Sequence, residues 1–340
     1  MSFAAAYADG SLRCALSGEG WPERRKRLTP WARMLTGSAG KTFVAASVLR
    51  LVGEGRLRLE DRVADHLGDE PWFDRLPNAR EMTLLHLLRH ESGLPRYVFD
   101  ERLWRTVVGD PDHPWTAVER LSFVFDADPL FPAGDGWSYS DTSYNLAGMI
   151  VEKATGERFF DFARRELVEP LGLKHTQPTD TRRIRCLTQG HCVSTRTHGL
   201  PERTLVDGEL VYGPQFEWCG GGWATSASDL ALWITHFATG GAFGEEALDA
   251  LLETVPATPL GNDAQYGLGI TLWPDSLGLG LGPMLGHAGV MPGYRSVAAY
   301  LPEYEIGLAL QVNTDLRIPG GMIVLLRELA QELVSSVGRG

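Results

Sequence analysis

Thr36-Gly37-Ser38-Ala39-Gly40-Lys41-Thr42-Phe43-Val44-Ala45-Ala46-Ser47-Val48-Leu49-Arg50-Leu51-Val52 is the stretch on which the reading of this chain turns. Phe43, Val44, Ala46, Val48, Leu51 and Val52 predict a helix over about 38–54, ended by Gly53 and Gly55. Ser38 falls at its start and Lys41 one turn on, so the two side chains share a face. A helix N-terminus favours developing negative charge, and Gly37, Ala39 and Gly40 leave room beside the hydroxyl. A plain reading also fits, because serine is a preferred N-cap and a surface lysine needs no purpose. Composition weighs against it. Of the 32 Lys plus Arg only four are Lys, at 26, 41, 153 and 174, and Lys41 alone has Ser at the third place before it. Arg serves where a fixed charge suffices, whereas Lys can give up a proton. The pair therefore points to a serine nucleophile, with burial expected to lower the lysine from about 10.4 until the neutral amine takes the hydroxyl proton.

Upstream, residues 3–8 and 11–16 read as a hairpin joined by a two-residue turn at Asp9-Gly10. Downstream, 60–217 reads as helical pieces (83–90, 115–125, 142–155, 158–167) between Pro- and Gly-rich loops. Ser226 and Asp229 open a further amphipathic helix over 226–239. Beyond 264 the pattern turns to strands, at 266–273, 293–301 and 306–312, followed by a last helix over 320–336. Strands at both ends with helices between predict an α+β fold: an antiparallel sheet flanked by helices, with an inserted helical domain. The expected division is 1–60 and 218–340 for the α/β body and 61–217 for the helical part.

The net charge is −11, which argues against nucleic acid or an anionic membrane as partner. No apolar run reaches the roughly 18 residues of a membrane span. The opening MSFAAAYADG has neither the basic region nor the apolar stretch of a signal peptide. This leaves the compartment undecided between cytoplasm and an exported form, and nothing sets an oligomeric state. Four cysteines, at 14, 186, 192 and 219, are too few for a disulfide scaffold; Cys186 and Cys192 are near enough in sequence to pair, and free thiols are the plain expectation.

Further motifs follow in order. They are Leu84-Leu85-His86-Leu87-Leu88-Arg89-His90-Glu91-Ser92-Gly93-Leu94-Pro95, Phe131-Pro132-Ala133-Gly134, Tyr139-Ser140-Asp141, Gly220-Gly221-Gly222-Trp223-Ala224-Thr225-Ser226, and Gly286-His287-Ala288-Gly289 before Pro292-Gly293-Tyr294. With Ser38-x-x-Lys41, this series resembles the serine β-lactamase and DD-peptidase superfamily, in the branch of class C β-lactamases, D-alanyl-D-alanine carboxypeptidases, D-aminopeptidases and esterases. The resemblance covers nearly the whole chain. Asp141 stands where the family's Tyr-x-Asn has Asn, and His287 where class C β-lactamases have Lys.

The resemblance implies an acyl-enzyme on Ser38, with Lys41 and Tyr139 sharing base duty. It implies an oxyanion hole from the N–H groups of Ser38 and Val290, beside Gly289, and Asp141 positioning Lys41 or a substrate amide. The Lys41 cation is expected to pull Tyr139 below its usual value of about 10. His287, ordinarily near 6.5, would be mostly neutral and give carboxylate substrates a poor grip unless Arg295 swings in. The expected substrate is a small molecule or peptide: an ester, a D-amino peptide or amide, or a β-lactam, the first two favoured. A non-catalytic relative binding peptide or cell-wall fragments is the other class. No cofactor or metal is expected. His86 and His90 lack the Glu of a zinc-protease motif, since Leu87 follows His86, and read as packing residues.

Overall fold

The computed structural model describes residues 1–21, 26–193, 198–275 and 280–337. The chain begins with β1 (Ser2–Tyr7) and β2 (Leu12–Leu16). Their connection is longer than the expected two residues. Tyr7 N–H bonds Ser11 C=O, and Gly10, at φ +81°, closes a turn onto Tyr7. This is a three-residue loop ending in a left-handed glycine. β3 (Met34–Leu35) leads through a 3-10 turn, Gly37–Gly40, into α1 (Lys41–Gly53). α2 (Leu84–Arg89) and α3 (Asp141–Thr155) belong to the helical stretch. β4 (Gln177–Pro178) and β5 (Trp223–Thr225) join β3 in a small sheet ordered β3-β5-β4. α4 (Ala227–Ala238) follows, started by Ser226 accepting from the Asp229 N–H.

The remaining strands are β6 (Val255–Pro256), β7 (Gln265–Tyr266), β8 (Thr271–Trp273), β9 (Met284–Met291), β10 (Tyr294–Leu301) and β11 (Ile306–Val312). Together with the N-terminal hairpin they form an eight-stranded sheet ordered β6-β7-β8-β9-β10-β11-β1-β2, with antiparallel neighbours throughout. α5 (Met322–Val337) ends the fold. The protein is therefore α+β, its antiparallel sheet flanked by helices.

The alternation along the central strands explains the layering. Phe3, Ala5, Val297, Ala299, Leu308 and Leu310 face α5, in a core with Met322, Leu326 and Ala330. Ala4, Ala6, Ala298 and Ala309 face the opposite way, into the core that holds α1 and α4. Small residues on that face let a helix lie close: a Cβ on Gly307 would stand 2.0 Å from the Thr235 hydroxyl of α4. The run 266–273, read as one strand, is two. Gly269 turns the chain at φ +76°, where a Cβ would meet the Ala45 methyl at 2.7 Å. Among the described residues no helix is long and apolar enough to cross a membrane. The four cysteines are free, and Cys186 is exposed while Cys192 is buried.

Candidate active site

Ser38 sits on the 3-10 turn, which three neighbours clamp. Gly37 has φ +53°, and a Cβ there would stand 2.5 Å from the Val290 nitrogen of β9. A Cβ on Gly289 would stand 1.9 Å from the Thr36 carbonyl oxygen. Only glycine lets β9 run this close to the turn. Thr36 Oγ1 donates to the Gly221 and Trp223 carbonyls, and Ser296 Oγ donates to the Thr36 carbonyl. β8 pairs with Met284–Gly286, so among the described residues the half of β9 from His287 to Met291 has no strand partner on that edge. Behind the turn, Phe43 stacks on Trp223 and Trp233, and the Trp233 indole N–H donates to Thr42.

Lys41 is fully buried. Its ammonium donates to Asp141 Oδ1 at 2.6 Å, to the Gly220 carbonyl at 2.5 Å and to Ser38 Oγ at 3.2 Å. Burial by itself would lower its pKa. The charge of Asp141 leads the opposing effects, together with its hydrogen bond, and the Lys41 pKa stands above the ordinary value. Lys41 is a cation at rest, which corrects the expected neutral amine. Asp141 opens α3 and is buried too. Burial pushes its pKa up, but Lys41 and then Arg96 prevail and hold it well below the carboxylate range.

Tyr139 reaches the same place from the loop before α3, its ring centre 4.9 Å from Lys41 Nζ. Ser38 and Lys41 both favour its ionised form, but burial is the larger effect and raises the phenol above its ordinary value. The expected lowering by the lysine is thus overturned. His90, left-handed at the end of α2, supports this loop: Nδ1 accepts the Ser140 N–H, and its ring lies 4.1 Å from that of Tyr139. His86 instead caps α2, its Nδ1 accepting from the Thr83 N–H. The two histidines do not converge, and among the described residues no group of three or more His, Cys, Asp and Glu side chains is placed to hold a metal.

His287 points into the cleft from β9. Nδ1 donates to the Ala288 carbonyl at 2.7 Å, so Nε2 is the acceptor, with the Tyr266 hydroxyl at 3.0 Å and that of Tyr139 at 3.4 Å. Burial, with Lys41 adding repulsion, pushes its pKa down to about 3. The expected titration near 6.5 therefore moves far into acid. Arg295 does not swing in: its guanidinium donates to the Asp315 carbonyl at 2.8 and 3.2 Å and lines a separate hollow with Arg317 and Met322.

Two charged residues were missed by sequence reasoning. Arg96 lies in the cleft, with Nε and Nη2 each 2.8 Å from Asp141 Oδ2. Its guanidinium sits 5.0 Å from the Tyr139 ring centre and 4.4 Å from that of Phe99. Glu217 is buried near Lys41; burial pushes its carboxyl up to about 8, against the pull of the lysine. Their signal was position: Arg96 directly follows the Ser-Gly-Leu-Pro motif, and Glu217 lies three places before the glycine triplet. The cleft, about 640 Å³, opens over Ser38, Tyr139, His287 and Gly289, and Phe99, Trp137, Trp273, Val290 and Ile323 form much of its wall.

A helix starting Ser-x-x-Lys, a Tyr-x-Asp loop and a His-x-Gly strand, meeting beside an antiparallel sheet, make up the architecture of the serine β-lactamase and DD-peptidase class. Residues 3–328 match the Beta-lactamase family model, and the chain belongs to that family. It is 27% identical over 280 residues to a penicillin-binding protein of Bacillus subtilis, covering 76% of this chain and 56% of that one. It is 29% identical over 181 residues to lovastatin esterase of Penicillium rubens, covering 48% of this chain and 43% of the esterase. The chain thus spans about half the length of these relatives. Among solved structures, D-amino acid amidase from Ochrobactrum anthropi SV3 with L-phenylalanine amide superposes with a TM-score of 0.82 at 24% identity, covering 98% of this chain and 93% of the amidase. At that identity the likeness speaks to the fold.

Proposed function

We propose that the chain is a serine hydrolase that forms an acyl-enzyme on Ser38 and acts on esters or on amides of small apolar or D-amino acids in preference to β-lactams. The observation that carries this is Lys41 Nζ at 3.2 Å from Ser38 Oγ, pinned by Asp141 and Gly220, under an open cleft. At rest both Lys41 and Tyr139 hold their protons, so the reactive form is the pair with one proton removed. The pair titrates as a unit. Ser38 passes its proton to Tyr139 as the Oγ–acyl bond forms, and Tyr139 returns it to the departing alcohol or amine. Water repeats the step on the acyl-enzyme. In this reading the Ser38 and Val290 N–H groups serve the developing oxyanion; donors aimed at one are worth about 3 kcal/mol each.

The substrate preference rests on charge and shape. His287 is neutral and the Arg96 guanidinium in the cleft is committed to Asp141, so β9 offers no cation to a substrate carboxylate, a bond worth about 1.5–3 kcal/mol when charge-assisted. The aromatic wall suits an apolar group. Relatives named as an esterase and a D-amino acid amidase are in keeping with this reading. The test compares kcat/KM for p-nitrophenyl butyrate, D-phenylalanine amide and benzylpenicillin. The ester or the amide should exceed the penicillin by about tenfold or more; faster penicillin turnover would reverse the assignment.

A further inference from the structure

Resting on Ser38 as nucleophile, we propose that Arg96 and Asp141 act as one charge-balanced unit, Arg96 being a positioning residue that keeps one net positive charge beside the Lys41–Tyr139 pair. Asp141 is shared, with Oδ1 on Lys41 and Oδ2 on Arg96. The family motif has a neutral Asn at this place. An amide would accept from Lys41 without adding charge. The carboxylate adds a buried negative charge 2.6 Å from the lysine and would by itself cancel it. Arg96 restores the balance, and its stacking between Tyr139 and Phe99 holds it in the cleft wall.

The surrounding groups do not alter the sum at neutral pH. His90 after α2 and His287 on β9 are driven neutral by burial. Tyr97, Tyr144 and Tyr266 are held un-ionised by burial. Glu217 keeps its proton to about 8. Lys41, Arg96 and Asp141 are therefore the charged groups joined directly at the Asp141 carboxylate, and they sum to one positive charge. Such a charge favours loss of the proton from the Lys41–Tyr139 pair and steadies the oxyanion.

The test is a double-mutant cycle on the whole chain, reading the acylation rate with a p-nitrophenyl ester against pH. Arg96→Met removes a cation. It should slow acylation at pH 7 by about tenfold or more and move the low-pH limb of the profile upward, because the pair then holds its proton more tightly. Asp141→Asn alone leaves two cations together and moves the limb downward. The double variant regains one net charge; its rate should exceed the product of the two single effects by about tenfold, with the limb near its original place. Arg96→Lys, which keeps the charge and loses the fork, should keep the limb even where the rate falls. Multiplying effects, or a limb that stays put in Arg96→Met, would overturn the proposal. Acylation persisting in Ser38→Ala would instead strike the hydrolase reading itself.

Discussion

Lys41 has its three ammonium donors engaged by Asp141, Gly220 and Ser38. The pair it forms with Tyr139 becomes reactive only by giving up one proton, and Lys41 is one of the two places that proton can leave from. Lys41→Arg should be as damaging to acylation as Lys41→Ala, since arginine keeps its proton and is bulkier in a fully buried slot; recovery of a tenth of the wild-type rate would make the lysine a fixed charge. Tyr139→Phe should slow acylation by about 10²–10⁴ while the melting temperature hardly moves, since only a hydroxyl is removed and its contact with His287 is long at 3.4 Å. An equal loss of stability would return Tyr139 to the core. His287 titrates near 3, so the ratio of penicillin to ester acylation should be flat from about pH 5.5 to 8.5. A ratio falling tenfold across that range would put the histidine back near its ordinary value. Ser38, Lys41, Tyr139, Asp141 and His287 were legible because each sits in a short motif whose spacing survives without the fold. The protonation of Lys41 and Tyr139 was not legible: it depends on a carboxylate 100 residues away in sequence and on burial. Arg96 was hidden likewise, since its partner lies 45 residues on.

Two elements differ from their reading for reasons of backbone. In the sequence β9 reads as a motif and not as a strand, because Gly286 and Gly289 interrupt its apolar alternation. Both glycines answer to close neighbours, the Ala298 carbonyl of β10 and the carbonyl of Thr36, and not to strand propensity. The long helices were legible because their apolar period runs over three or more turns. The turn 214–222 brings a different prediction. It buries Glu217 with a folded pKa near 8, above the ordinary 4.5. The folded state then holds a proton that the unfolded chain releases, so stability is lost as pH rises from about 4.5 to 8. His287 and His90, both lowered from 6.5, act in the other direction: stability is lost as pH falls below about 6.5. From these three groups stability should therefore peak near pH 6.5, above which the histidines no longer matter and only the carboxyl still acts. Glu217→Gln should raise the melting temperature by a few degrees at pH 8–9 relative to wild type, with little change near pH 5. A melting temperature equally shifted at both pH values would mean that the carboxyl is ionised in the fold.

At the scale of the molecule, the two ends of the chain meet in one sheet, with β1 lying between β11 and β2. The core holding α1 and α4 extends without a break to the residues of α2 and α3, among them Leu87, Leu88, Leu146 and Ile150. Denaturation followed by tryptophan fluorescence and by far-ultraviolet circular dichroism should give coincident transitions. Two separated transitions would mean that the helical part and the sheet unfold independently. The site is assembled from α1, the loop before α3, and β9, so its integrity should track that single transition. The central claim is covalent chemistry at Ser38. Its most direct measurement is the intact mass of the chain after exposure to a serine-reactive fluorophosphonate, in wild type and in Ser38→Ala. Wild type should carry one phosphonyl adduct, located to the peptide that contains Ser38, and the variant none. A wild-type chain that stays unlabelled while folded, or a Ser38→Ala chain labelled to the same extent, would contradict it.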